Sequence, residues 1–348
     1  MKASEFKKFD QSLEFIQGEN SGIEFLGLAG LTGTEDHRVL FVKNKKFLGK
    51  FIFPESRKNM ALLVEKKFWD DLNLKNSPEV AILKSSFSVL LTVNDVNLAM
   101  SWLSKPFYDL KHKNRNNQVD GRQMGSAEVH PTALIAQNVF LGEGVKVHAD
   151  AEILSGCVIL AGCEIGEGTK LYPNVTVYED VKIGKHCRIH ANTAIGSDGF
   201  GYNFHQGNHV KVWHTGSVII HDHVEIGACV SIDQGTFEPT IIGTGSKIDN
   251  QVQIGHNCIL GRGVILCGQV GLSGSGKVGD YNIFAGKAGM GPDTTLGKGV
   301  QIAAGGMVSQ DWPDGSIIAG HPARPLNEWM KGLATLRKLS LDKTKSEK

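Results

Sequence analysis

Every sixth residue from Val129 to Ile195 is Val, Ile or Leu. The series reads Val129, Ile135, Leu141, Val147, Ile153, Ile159, Ile165, Leu171, Val177, Ile183, Ile189, Ile195. A second run keeps the phase from Ile242 to Val308, and three more steps, Ile220, Ile226 and Ile232, lie between the two. In a chain that is 41% hydrophobic, chance does not hold such a phase for so long. A period of six matches neither an α-helix nor a two-sided strand. It matches a coil of three short flat faces, one hexapeptide per face, in which the aliphatic points inward and equivalent positions stack from coil to coil. The expected fold is mainly β, a left-handed parallel β-helix of about nine coils.

The position two residues before each aliphatic is small or β-branched, as at Ala151, Cys157, Cys163, Thr169, Val175 and Cys187. A narrow triangular core has no room for two large side chains per face. Cys157, Cys163, Cys187 and Cys258 fall in this set, and the six cysteines show no C-x-x-C spacing, so they read as packing thiols in a reducing cytoplasm. Glycines directly after the aliphatic, such as Gly142, Gly166 and Gly184, are expected to supply positive φ at the corners. The phase breaks twice, between Ile195 and Ile220 and between Ile232 and Ile242. Loops on a regular solenoid are where binding function concentrates.

The rest of the chain divides around this repeat. Residues 1–105 lack it and read as a small α/β domain. Its apolar runs Val39–Val42, Ala61–Val64, Val80–Leu83 and Val89–Val93 are expected as strands, followed by a helix capped at Asn94 or Asp95 and running through Leu103. A polar linker is expected over 106–126, the β-helix over 127–322 and a helical tail over 323–348. In the tail, Leu326, Trp329, Met330, Leu333 and Leu336 form a stripe at helical spacing, suited to covering the last coil or to packing on other subunits. The formal net charge of +1 gives no global field for nucleic acid or membrane binding, and no apolar run is long enough to span a bilayer. With no signal-peptide pattern at the start, the expected location is cytoplasmic.

Two features carry chemistry. His256 lies two residues past the inward Ile254, so it stands at a corner and points outward; histidine, with an unperturbed pKa of about 6.5 as a residue type, suits a general base near neutrality. The segment Gly196-Ser-Asp-Gly-Phe-Gly-Tyr202 sits at the first phase break and reads as a shaped ligand loop, not a dinucleotide-binding fingerprint. His205, His209, His214, His221 and His223 raise the question of a metal. His221 and His223 fall in a turn with no third ligand at a matching coil position, so no metal is expected.

The strings GSDGFGY (196–202), VEIGACVSID (224–233), TIIG (240–243) and IDNQVQIGHN (248–257) closely resemble the UDP-3-O-(3-hydroxyacyl)glucosamine N-acyltransferase family of lipid A biosynthesis, and the resemblance spans nearly the whole chain. It implies a homotrimer with active sites in the clefts between neighbouring β-helices. The implied reaction transfers an (R)-3-hydroxyacyl group from acyl carrier protein to the 2-amine of a UDP-glucosamine acylated at O3, with no cofactor beyond the carrier's phosphopantetheine thioester. His256 is the implied general base. Asp249 is the implied acid of the same motif and acts on a histidine across the trimer contact, not necessarily its own. Asn250 and Gln253 of that motif, with Asp198, Phe200 and Tyr202 of the loop, are the implied substrate contacts. In the N-terminal domain, Phe41 and Phe47 would sandwich uracil and Asn44 would bond its edge; read from the sequence alone, both phenylalanines are core.

Three departures stand out. Asp293 occupies the place where many relatives carry a second histidine, and an ionised aspartate cannot donate to an oxyanion. Backbone N–H groups would have to take that part, and Gly274, eighteen residues after His256 and so stacked on it, is the candidate. Gln234 stands where an arginine is common, and Trp213-His214 replaces a usual Pro-Gln pair. The acyl groove is expected near the last coils, with Met290 or Met307 as its end stop, although the inward phase of Met290 argues for core. The alternatives are a sister O-acyltransferase, a CoA-dependent acetyltransferase (Gly320-His-Pro-Ala-Arg324 resembles a string at the end of many such helices) and a non-catalytic β-helix scaffold.

Overall fold

The computed structural model describes residues 1–31, 33–48, 57–112, 126–320 and 325–346. Its repeat region is built of two- to four-residue strands that pair in parallel from coil to coil. Glu152–Ile153, for example, lies between Leu134–Ile135 and Lys170–Leu171. The three sheets hold ten, nine and nine strands, so the coil closes a little over nine times between Glu128–Val129 and Ile317–Ile318. This is the left-handed parallel β-helix that the six-residue phase predicts. The inward aliphatics form one continuous buried cluster from Val139 to Val308, each contributing about 2 kcal/mol by leaving water.

The small site does more than fill space. The thiols of Cys157, Cys163 and Cys258 donate to carbonyls one coil on, at Tyr172, Tyr178 and Ser273, over 3.1, 2.8 and 3.2 Å. The Thr169 and Thr193 hydroxyls do the same toward Gly184 and Gly227. The corner glycines need a correction. Positive φ falls three residues after the aliphatic, not one, and is taken by Gly144, Asn174, Asp180 and Asn257 among others; Asn and Asp tolerate that region better than most. The glycine directly after the aliphatic has another cause. At Gly166 a Cβ would lie 2.4 Å from the Gly184 carbonyl carbon, so the close approach of successive coils excludes a side chain.

At the first interruption the chain leaves the coil as an antiparallel hairpin, Tyr202–His205 against Asn208–Lys211. Its turn, Gln206-Gly207, has φ of 46° and 81°, the sign pair of a turn that matches strand twist. Phase then resumes, with Ile183 beside Ile220 and Ile195 beside Ile232. The second interruption, residues 233–239, packs against the first. Thr215 N–H donates to the Thr236 carbonyl at 2.8 Å, Gly216 N–H to Gly235 at 3.1 Å, and Gln234 N–H to Ser197 at 2.9 Å.

The N-terminal region is a five-stranded sheet of β1 (Glu14–Gln17), β2 (Gly27–Leu28), β3 (Arg38–Val42), β4 (Arg57–Glu65) and β5 (Phe87–Val93), in the order β1-β5-β4-β3-β2. Around it lie α1 (Lys45–Leu48), α2 (Lys66–Leu74), α3 (Pro78–Ser86) and α4 (Val96–His112). Val80–Leu83, expected as a strand, lies in α3, where Pro78 opens the helix and Glu79 sits in its first turn. Asp95 caps α4, its Oδ1 accepting from Asn97 and Leu98 N–H at 2.9 and 3.1 Å. The helix continues past Leu103 to His112 through Pro106, so the segment expected as linker from 106 begins as helix. Residues 113–125 of that linker and His321–Arg324 lie outside the described residues.

The α4 helix ties the two regions together. Asn203 of the hairpin donates to the Asn97 carbonyl at 3.0 Å, and Trp213 N–H donates to Ser104 Oγ at 2.9 Å. At the other end of the solenoid, Trp312 bridges to Leu296 and packs on the core with Ile318. The tail is α5 (Leu326–Ser346), and its apolar stripe is exposed: Trp329 is 41% accessible and Leu336 66%. Of the two roles its spacing suits, the stripe does not cover the last coil within one chain. Among the described residues no helix is long and apolar enough to cross a membrane.

Candidate active site

The two interruptions meet at one corner of the β-helix, and His256 stands there. It follows the strand Gln253–Ile254 and is half-buried. The next residue, Asn257, adopts the positive-φ corner conformation and aims its side chain back across the insertion. Asn257 Nδ2 donates to the Glu238 carbonyl at 3.0 Å, which orients the amide and leaves Oδ1 as an acceptor. That oxygen receives Thr236 N–H at 2.9 Å and the Thr236 hydroxyl at 2.9 Å. It also lies 3.0 Å from His256 Nδ1. An amide oxygen only accepts, so the neutral imidazole carries its proton on Nδ1 and keeps a bare lone pair on Nε2. This is the tautomer a general base needs.

The Nε2 edge faces Gly274. A Cβ there would lie 2.5 Å from Nε2, which places Gly274 directly on His256, as eighteen-residue stacking predicts. Among the described residues the Gly274 N–H donates no hydrogen bond within the chain. On the other side, Gly199 of the loop packs against the ring; its Cβ would lie 2.6 Å from His256 Cβ.

The loop residues gather around this corner. Asp198 pairs with Lys211 at 2.6 Å and accepts from Gln234 Nε2 at 2.9 Å. Phe200 and Tyr202 stand in solvent, 86% and 44% accessible, with ring centroids 5.1 Å apart in an edge-on contact. Gln253 faces Asp233. Burial holds the Asp233 carboxyl above its ordinary range, against hydrogen bonds from Gln253 and Ser197 and the proximity of His256.

Other expected residues lie elsewhere. Asp249 and Asn250 are exposed at the next corner of the triangle; Asn250 N–H donates to Asp249 Oδ1 at 2.7 Å, and Asn250 Oδ1 accepts from Ala228 N–H at 2.8 Å. Within one chain they do not meet His256. Phe41 is in the N-terminal core and stacks on Phe237 of the second insertion, centroids 6.2 Å apart. Asn44 Oδ1 caps α1 by accepting from Lys46 and Phe47 N–H at 3.0 and 3.4 Å, while Phe47 is 36% accessible. Met290, offered as a groove residue, is 1% exposed and belongs to the core cluster; its inward phase leaves it no access to a surface groove. Met307 is 70% exposed and lies over Gly289, where a Cβ would stand 2.5 Å from its sulfur. Gly271, between Gln253 and Gly289 in the same outward column, has nothing within 4 Å of its Cβ position. Asp293 takes a positive-φ corner one coil beyond Ser275. Among the described residues, no three metal-ligating side chains gather. A cavity of about 640 Å³ between the N-terminal region and the solenoid, lined by Arg38, Lys111, Phe237 and Glu238, lies behind the insertion that touches His256.

Sequence reasoning missed three neighbours of His256: Asn257, Thr236 and His214. Asn257 is adjacent and was within reach of it, since an Asn at a corner after a candidate base is a ready acceptor. His214 lies behind His256 and is fully buried. Their rings meet edge to face, centroids 5.5 Å apart. Burial, with His256 opposing a second charge, pushes the His214 imidazole down to about 4. This has a consequence for stability. Above pH of about 6.5 neither the folded nor the unfolded chain protonates His214. As pH falls toward 4, the unfolded chain binds a proton that the folded chain refuses, so stability falls by on the order of 3 kcal/mol. In His214→Gln the urea midpoint should decline less between pH 6.5 and 4 than in the parent; parallel curves would contradict the assignment.

The described β-helix thus carries a corner histidine beside a shaped loop. Residues 162–197 match the bacterial transferase hexapeptide (six repeats) family. Curated relatives at 41–48% identity are UDP-3-O-acylglucosamine N-acyltransferases. That of Methylobacterium nodulans is 44% identical over 158 residues, 45% of each chain. That of Helicobacter hepaticus is 48% identical over 151 residues, 43% of this chain and 46% of that one. The chain thus spans just under half the length of the curated relatives it matches. Among solved structures, the UDP-N-acetylglucosamine acyltransferase of Francisella novicida is 28% identical with a TM-score of 0.42, covering 59% of this chain and 71% of that one.

Proposed function

We propose that the protein is an N-acyltransferase of lipid A biosynthesis. It moves an (R)-3-hydroxyacyl group from acyl carrier protein to the 2-amine of UDP-3-O-(3-hydroxyacyl)glucosamine and yields UDP-2,3-diacylglucosamine. The observation that carries this reading is His256, held by Asn257 as the Nδ1–H tautomer with Nε2 turned to the Gly274 corner. As the amine nitrogen bonds to the thioester carbonyl carbon, Nε2 takes a proton from it. The carbonyl oxygen gains charge, and the unpaired Gly274 N–H is placed to donate a hydrogen bond to it. When the tetrahedral species collapses, the C–S bond breaks and the imidazolium returns the proton to the leaving sulfur. The amine is nucleophile enough that no acyl-enzyme is needed.

The distance of Asp249 from His256 within one chain supports a homotrimer, in which a neighbouring copy brings Asp249 to the cleft. The exposed Phe200 and Tyr202 would line that cleft against the UDP-sugar. The proposed location is cytoplasmic, where acyl carrier protein thioesters are made. For the acyl chain, the open floor at Gly271 supports a groove that runs from Gln253 toward Met307 as its end stop.

One assay tests both parts. Matched 3-hydroxyacyl thioesters of acyl carrier protein and CoA, in a series of chain lengths, are offered with the UDP-sugar amine to the parent and to Met307→Ala. Carrier thioesters should be strongly preferred, and the alanine variant should favour acyl chains about two to four carbons longer, near the length of the side chain removed. Preference for CoA would overturn the donor assignment, and an unchanged length profile would remove Met307 from the groove.

A further inference from the structure

Among the described residues His214 is the one histidine buried completely, and its surroundings define its protonation. Its Nδ1 lies 3.0 Å from the Val212 carbonyl oxygen. A carbonyl only accepts, so Nδ1 carries the proton and Nε2 is an acceptor. That Nε2 lies 3.4 Å from Thr236 Oγ1, and the same hydroxyl lies 3.4 Å from His256 Nδ1.

The Thr236 hydroxyl therefore sits among two acceptors, His214 Nε2 and Asn257 Oδ1, and one donor, His256 Nδ1–H. With its proton on Asn257, the amide oxygen receives three donors: Thr236 N–H, Thr236 O–H and His256 Nδ1–H. An amide oxygen has two lone pairs, so this arrangement is crowded. When His256 becomes imidazolium, its Nδ1–H needs a stronger acceptor than a shared one. Turning the Thr236 hydroxyl to His214 removes one competitor from Asn257 and presents the hydroxyl lone pairs to His256.

We propose that His214 is a positioning residue for the base: its Nε2 accepts the Thr236 hydroxyl as His256 gains charge, so that Asn257 and Thr236 together hold the imidazolium. The proposal rests on the reading of His256 as general base. It requires His214 to stay neutral beside that charge. The groups facing it are His256 from the coil corner, Asp198 from the loop and Lys211 from the hairpin; the last two pair with each other at 2.6 Å. Burial keeps His214 uncharged throughout the working range.

His214→Phe keeps a ring of similar shape but offers no acceptor, whereas His214→Gln keeps an acceptor oxygen. With the full chain and the carrier thioester, His214→Phe should lower kcat roughly tenfold with both KM values within about twofold, and should move the acid limb of the kcat/KM profile down by about half a pH unit. His214→Gln should recover most of kcat. A space-filling role gives the reverse, full activity for Phe and none regained by Gln, and either result overturns the proposal. Nitrogen-15 NMR of the parent gives a readout free of activity. At pH 7, His214 should carry its proton on Nδ1 and none on Nε2, and the opposite tautomer overturns the proposal even in an active enzyme. If the parent shows the expected tautomer but transfers nothing to the UDP-sugar amine, the reaction assignment has failed, and the base role of His256 with it.

Discussion

His256→Ala should lower kcat/KM for acyl transfer by about a thousandfold, with kcat falling and KM for the UDP-sugar amine little changed. The size follows from what is lost. The amine must shed a proton as it attacks, and among the described residues at this corner the half-buried imidazole with an unbonded Nε2 is His256. His214 cannot replace it, because it is fully buried and its Nε2 faces Thr236. The fold should tolerate the change. His256 points out of the coil, and Asn257 keeps its bonds to Thr236 and Glu238, so the thermal midpoint should stay within a few degrees of the parent's. Steady-state transfer from a carrier thioester checks both halves. Activity within about tenfold of the parent would remove His256 as the base.

Gly274→Ala should cost about a hundredfold in kcat/KM without unfolding the protein. The φ of Gly274 is not in the left-handed region, so alanine fits its backbone. The methyl carbon, however, would lie 2.5 Å from His256 Nε2 and 2.6 Å from Cε1, well inside contact distance. The ring has little freedom to retreat. Gly199 packs on its Cβ side, His214 meets its edge, and any tilt lengthens the 3.0 Å bond to Asn257. A misplacement near 1 Å in a reacting group is worth about two orders of magnitude. Rates measured beside a thermal melt decide the matter: parent-like turnover would show that neither the ring position nor the Gly274 corner takes part in the reaction.

The legible parts of this protein are those that a single period controls. Ile153, Ile159 and Ile165 declare their inward direction by phase, and from that phase His256 could be turned outward and Gly274 placed upon it before any coordinates. The phase also carried a warning about Met290, since a residue in the inward register cannot line an outer groove. Where no period operates, local reading failed for physical reasons. Val80–Leu83 is a short apolar run that suits strand or helix equally, and Pro78 with α3 packing decided for helix. The apolar stripe of α5 has helical spacing, but spacing does not name what covers it; Trp312 closes the last coil instead. The glycines after the aliphatic stand out in the sequence, but the reason for them is the distance between coils, which no single hexapeptide contains.

The corner at His256 divides in the same way. The sequence by itself determined the solenoid, the outward histidine and the existence of two interruptions, because each is a statement about one continuous stretch of chain in a fixed register. Only the tertiary structure decided that the interruptions lean on each other. Residues 198–216 and 233–239 are joined by main-chain bonds between Thr215 and Thr236 and between Gly216 and Gly235. That contact brings Thr236 and His214 to His256, residues separated by twenty and more positions, through hydrogen bonds whose geometry no repeat encodes. A period fixes direction from a core; the state of a proton on an imidazole depends on which acceptors fold over it.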